Sequence, residues 1–94
     1  MNIRYYIDPE SNLPHIYNHH VQESEVENVL KKPGEDRPGR DGSRVAIGQT
    51  EEGRFLRVIY VPDLELDSYF VITAYELTGN VLKAYRRRRR RKIS

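Results

Sequence analysis

Three runs of strand-forming residues crowd the second half of the chain, and their spacing leaves few folds open. They are residues 44–50 (RVAIGQT), 54–61 (RFLRVIYV) and 68–75 (SYFVITAY). Each is rich in Val, Ile, Phe or Tyr, side chains that fit a pleated, half-buried surface. Glu51-Glu52-Gly53 makes a hairpin turn between the first two, and Pro62 followed by DLELD links the second to the third. Links this short cannot hold a crossover helix, so neighbours pair as an antiparallel meander. Residues 3–7 (IRYYI) read as one further short strand.

The remaining segments read as helices and a loop. Pro14 suits the first position of a short helix over residues 14–19. In residues 22–31, Val26, Val29 and Leu30 recur at i, i+3, i+4 and form an apolar stripe. Glu23 and Glu25 at its start and Lys31 at its end complement the helix dipole, and Pro33-Gly34 stops it. Residues 33–43 (PGEDRPGRDGS) read as a loop. Residues 80–92 (NVLKAYRRRRRRK) read as a last helix, with Val81, Leu82 and Tyr85 sharing a docking face. The expectation is one α+β domain over residues 1–94, with two N-terminal helices on a sheet of about four strands and a basic C-terminal helix. Its expected core is Val26, Val29, Leu30, Val45, Ile47, Val58, Ile59 and Ile72.

Charge is distributed unevenly. The 94 residues include 16 basic and 14 acidic ones, a net +2. Seven of the cations are Arg86, Arg87, Arg88, Arg89, Arg90, Arg91 and Lys92, so the other residues carry 9 cations against 14 acids, about −5. Such polarity steers a polyanion to the basic segment 86–94, and RNA is the first choice. On a helix these arginines point all the way round, and pairs such as Arg86/Arg90 repel by about 0.2–0.5 kcal/mol each. A solvated tail is the alternative reading of the run. The absence of Cys excludes disulfides, thiolate metal sites and a thiol nucleophile. Residues 1–5 lack the apolar stretch of a signal peptide and no apolar run spans a bilayer, which reads as a cytoplasmic protein without membrane contact.

Several residues outside the run are candidates for chemistry. Arg57 lies in mid-strand among apolar residues, so it must reach an edge, pair with a carboxylate or line a phosphate site. Arg44 and Arg54 also fall on or beside strands; Arg54 follows the turn and can simply end the hairpin. His15, His19 and His20 are the imidazoles, the side chains suited to acid–base work near neutral pH. His15 and His19 have helical i, i+4 spacing but no third ligand, so neither a metal nor another cofactor is expected. Tyr75 and Tyr85 can stack on a base or donate to a phosphate; Tyr75 reads as a core residue. Asp63, Glu65 and Asp67 read as a solvated loop.

Taken together, His15, His19-His20-Val21, Glu25-Val26, Val29-Leu30 and Pro33, then VAIGQTEEGRFLRVIYV and VITAYEL, then the basic helix, carry a resemblance. The pattern over about residues 15–92 resembles the BrnT-like branch of the RelE/ParE toxin superfamily and the uncharacterised small bacterial proteins near it. That resemblance implies two N-terminal helices on a curved antiparallel sheet, a RelE-like fold. It implies a toxin that cleaves mRNA and is neutralised by a cognate antitoxin. Arg54 matches the arginine of the family's Gly-Arg turn, and Arg44 and Arg57 fall where such toxins carry phosphate-binding residues. Tyr85 and the arginines after it fall on the terminal helix, where functional basic and aromatic residues are frequent. Tyr75 stands where an arginine is common. The reading is a metal-independent endoribonuclease with His15 or His19 as base, Arg54 and Arg57 as charge stabilisers and Tyr85 as acid or stacking group. Arg44 and Arg86 to Lys92 hold the nucleic acid. The alternative is a non-catalytic nucleic-acid or protein binding module.

Overall fold

The computed structural model describes residues 2–93. Strand β1 (Asn2–Tyr5) leads into a 3-10 turn (His15–His19) and helix α1 (Glu23–Lys31). Four strands follow, β2 (Glu35–Pro38), β3 (Arg44–Gln49), β4 (Phe55–Asp63) and β5 (Ser68–Glu76), and helix α2 (Gly79–Ile93) comes after them. The strands form one sheet in the order β1-β5-β4-β3-β2. The meander β2–β3–β4–β5 is antiparallel, as the short links require, whereas β1 lies parallel to β5.

This arrangement corrects the expected one of two N-terminal helices on a four-strand antiparallel sheet. The sheet has five strands and is mixed. Residues 14–19 do not form an α-helix. His20 closes that turn in the left-handed conformation, φ 59°, with its N–H on Tyr17 O at 3.1 Å. An α-helix cannot run through such a residue. The only α-helix before the meander among the described residues is therefore α1. Its start is fixed by Glu25, whose Oε1 accepts from the Gln22 N–H at 3.0 Å. Strand β2 lies in the segment read as a loop. Its sequence, EDRP, has no strand propensity, and pairing with β3 imposes the conformation.

The first sheet face carries the main core. Val26 and Val29 of α1, with Ile16 and Val21 before it, close over Ala46, Leu56, Val58, Tyr60, Val71 and Ala74. Leu30 packs at the margin of this cluster. Val71 and Ala74 share the face although they are three residues apart, because β5 carries a bulge. Ile59 pairs with Thr73 and Tyr60 with Val71, so Ile72 is the extra residue. Ile72 is consequently 36% exposed and is not a core residue. Val45 and Ile59, also expected in this core, lie with Ile47 on the opposite face, as their pairing shows.

Helix α2 covers part of that second face. Tyr85 and Leu82 pack on Ile47, Leu77, Phe55 and Val45. Gly34 lies under Tyr85; a Cβ there would fall 1.9 Å from the phenol oxygen, so only glycine lets the two approach. Arg88 fastens the helix to β2 through two hydrogen bonds to the buried Glu35 carboxylate, one of them Nη2 to Oε1 at 3.0 Å. Arg37 reaches the same carboxylate at 2.8 Å. No helix among the described residues is long and apolar enough to cross a membrane.

Leu56→Ala, at a fully buried site, will lower unfolding free energy by about 3 kcal/mol, and Ile72→Ala by less than about 1 kcal/mol. Urea denaturation measures both, and equal losses would refute the bulge assignment. A second outcome concerns acid. The Arg88 hydrogen bonds, assisted by Arg37, outweigh burial and pull the Glu35 carboxyl down to about 2. A carboxyl with a folded pKa below its unfolded one stabilises the fold above the unfolded value, and that stabilisation disappears as pH falls toward the folded value. The stability gap between wild type and Glu35→Gln is therefore full at neutral pH and closes between about pH 5 and pH 2.

Candidate functional site

Directly opposed residues on paired strands point to one face. Glu35, Ile47, Arg57 and Tyr75 are opposed in sequence across β2, β3, β4 and β5, and Arg37, Val45, Ile59 and Thr73 form the adjacent row. Where α2 does not cover them, these residues line an open groove of about 340 Å³, with Arg37, Arg57 and Tyr75 as its polar groups and Pro38, Val45, Ile47 and Ile59 as its apolar floor.

Arg57 is the unusual member. Its Nη1 donates to Tyr75 Oη at 3.3 Å and its guanidinium lies 5.9 Å from the centre of the Tyr75 ring. No carboxylate of the described residues pairs with it. Among the described residues its buried Nε donates to nothing, and the buried Thr73 Oγ1 on the same face also lacks a partner. Buried polar atoms are almost always satisfied, so two orphans side by side on one face mark a place where a polar ligand fits.

Tyr75 extends the site to the sheet edge. β1 pairs only with Ser68–Val71, and the 3-10 turn lies along the same side of β5. This turn brings the His19 ring to 6.0 Å from Tyr75 and the His15 ring to 5.3 Å from His19. His15 Nδ1 faces Asp8 Oδ2 at 3.3 Å, and Asn18 Nδ2 donates to the same oxygen at 2.7 Å. The Glu10 backbone N–H and the Asn18 amide hold the Asp8 carboxyl below its usual range. Asp8, His15, His19, Tyr75 and Arg57 thus form a line from the edge into the groove. Among the described residues no group of three His, Asp or Glu could hold a metal ion.

The other candidates lie elsewhere. Arg54 points to the α1 face. Its Nη1 reaches both oxygens of Glu25 at 2.9 Å and the His20 carbonyl at 3.0 Å, and its Nη2 lies 3.5 Å from Glu76. It clips α1, the 3-10 turn and β5 together and has no part in the groove. Tyr85 is 4% exposed beneath α2, with its ring 5.8 Å from Phe55, and burial pushes its hydroxyl up. A buried phenol that holds its proton more firmly is a poor acid, and Tyr85 anchors the helix instead. Arg44 is occupied by Asp36, at 2.9 Å to the carboxylate and 3.2 Å to the carbonyl.

The basic run divides. Arg88 holds Glu35, Arg89 Nη1 donates to Gly34 O at 2.8 Å, and Arg86 lies over the Phe55 ring at 5.1 Å. Arg87, Arg90 and Arg91 are exposed, and the Lys92 side chain lies outside the described ones. Three residues escaped sequence reasoning: Glu35 and Arg37, hidden in an apparent loop, and Tyr75, assigned to the core. The available signal for Tyr75 was Arg57 itself, since a charged residue in mid-strand asks what its cross-strand neighbours are.

No curated protein and no solved structure matches the chain. A family model matches residues 17–76, more than half of the chain; it includes His19, Arg57 and Tyr75 and stops before α2. The chain therefore belongs to the family described as a domain of unknown function (DUF4258).

Proposed function

We propose that the groove around Arg57 binds an RNA phosphodiester and that the chain is a metal-independent endoribonuclease, the activity of a toxin in a toxin–antitoxin module. The observation that carries this reading is Arg57: a half-buried guanidinium with an orphaned Nε and no carboxylate partner, in line with a phenol and an imidazole. A guanidinium suits a phosphate because its planar fork offers parallel donors to two oxygens.

RNA supplies its own nucleophile, so the protein must position the strand and neutralise charge. His19 takes the proton of the 2′-hydroxyl as its oxygen attacks phosphorus. Arg57 stabilises the negative charge that grows on the phosphoryl oxygens. The bond from phosphorus to the 5′-oxygen breaks, leaving a 2′,3′-cyclic phosphate. Tyr75 takes the place first given to Tyr85. Its Oη accepts from Arg57, which leaves its own proton to donate to the departing oxygen. His15, paired with Asp8, lies behind His19 and orients it or relays its proton.

A second reading, binding without cleavage, has one observation in its favour. His19 and Arg57 each lie against the Tyr75 ring, at 6.0 Å and 5.9 Å, and among the described residues no hydrogen bond joins imidazole to guanidinium.

Purified protein will cut single-stranded RNA in the presence of EDTA, and its expression will arrest bacterial growth. Arg57→Ala will lose about 10²-fold or more in rate, and Arg57→Lys will recover only part of it. His19→Ala will lower the rate by about 10²-fold or more, the loss expected when a positioned general base is removed. Arg54→Ala will reduce stability and leave the rate of the folded protein unchanged. Binding that needs Arg57, with no cleavage by wild type, would establish the second reading.

A further inference from the structure

A second, larger groove of about 550 Å³ runs along α2, on the side away from Arg57. Its polar lining includes Lys32, Gln49, Thr50, Arg86, Arg89 and Arg90. Four of these six are cations and no carboxylate of the described residues lines the groove, although the rest of the chain outside the basic run is acidic. The cations come from two elements, Lys32 from the end of α1 and the arginines from α2, so fold geometry assembles the cluster. Arg89 is fixed in place by the Gly34 carbonyl at 2.8 Å and Arg86 by the Phe55 ring at 5.1 Å. Four converging cations repel one another, and a bound anion relieves that repulsion.

The two grooves occupy the same sheet face, one on each side of the contact between Arg88 and Glu35. We infer that the groove along α2 holds a further phosphate of the RNA strand whose scissile phosphate lies on Arg57, so that the substrate is a strand of several nucleotides and not a dinucleotide. This inference rests on the proposed reading of the Arg57 groove. It also divides the labour: the segment matched by the family model carries the reaction groove, and α2, beyond that segment, supplies the affinity for length.

The test uses the full chain and fluorescent RNA of two and of ten nucleotides. The double variant Lys32→Ala, Arg90→Ala removes two exposed cations whose side chains make no hydrogen bond or ion pair among the described residues, and its urea midpoint should equal that of wild type. The expected result is about tenfold weaker binding of the decamer, a log–log salt slope shallower by about 0.7, as one lost phosphate contact requires, and unchanged binding of the dinucleotide. Unchanged decamer affinity and salt slope would overturn the inference. So would equal binding of poly-glutamate, which would mark the groove as a site for an acidic protein. Arg57→Ala serves as the control for the other groove. If it leaves dinucleotide binding intact while the double variant still weakens the decamer, the reading of the Arg57 groove fails and a phosphate site along α2 stands.

Discussion

The carboxylate of Glu35 organises the second face of the sheet. An ionised carboxylate removed from water costs several kcal/mol unless charged donors surround it. Here Arg37 supplies one donor from the same strand and Arg88 two from α2. The benefit is mutual. Strand β2 has no intrinsic reason to be a strand, and α2 carries arginines that repel one another. One buried acid gives the strand an anchor and the helix a counter-charge, and with Tyr85 it seats α2 on Ile47, Leu77 and Phe55. That seat leaves Arg57 open on one side of the helix and assembles four cations on the other.

A single extra residue in β5 decides what stands beside Arg57. Val71 faces the core, and strict alternation from it would carry Tyr75 to the core as well. The bulge at Ile72 reverses the parity. Ala74 then fills the core position opposite Val58, and Tyr75 comes to lie opposite Arg57 on the exposed face. Bulges re-aim side chains next to functional sites in many sheets. In this chain the consequence is specific, because the re-aimed phenol accepts a hydrogen bond from Arg57 and links it to the histidines at the edge.

The legibility of the sequence follows from these two devices. The strands 44–50, 54–61 and 68–75 and the helix 22–31 could be read because each has its own period and its own turn. Arg57 could be singled out because a charge in an apolar run has few accounts. Strand β2 could not, because Glu35-Asp36-Arg37-Pro38 becomes a strand only through its partner. Tyr75 could not, because a bulge leaves no mark in an otherwise ordinary strand sequence. The histidines were recognised as candidates, but their neighbours depend on a 3-10 turn in place of the expected helix. The basic run was evident as charge. Which of its members bind the protein and which stay exposed depends on where Glu35 and Gly34 lie.

Arg54 and Arg57 show why residue type alone does not locate a site. They are three positions apart, and both suit a phosphate equally well as side chains. Three is an odd number on a strand, so they emerge on opposite faces. On the α1 side, Arg54 meets Glu25, Glu76 and the carbonyl of His20, and its donors are spent on joining elements of the fold. On the other side, among the described residues, Arg57 donates to the phenol of Tyr75 and its buried Nε has no partner. A half-buried guanidinium with a buried, unpaired Nε carries a desolvation cost that no carboxylate among the described residues offsets. An anion in the groove would offset that cost, which is the ground for the proposed phosphate site. Of the two arginines, the one that the folded chain leaves unsatisfied is therefore the one assigned to the ligand.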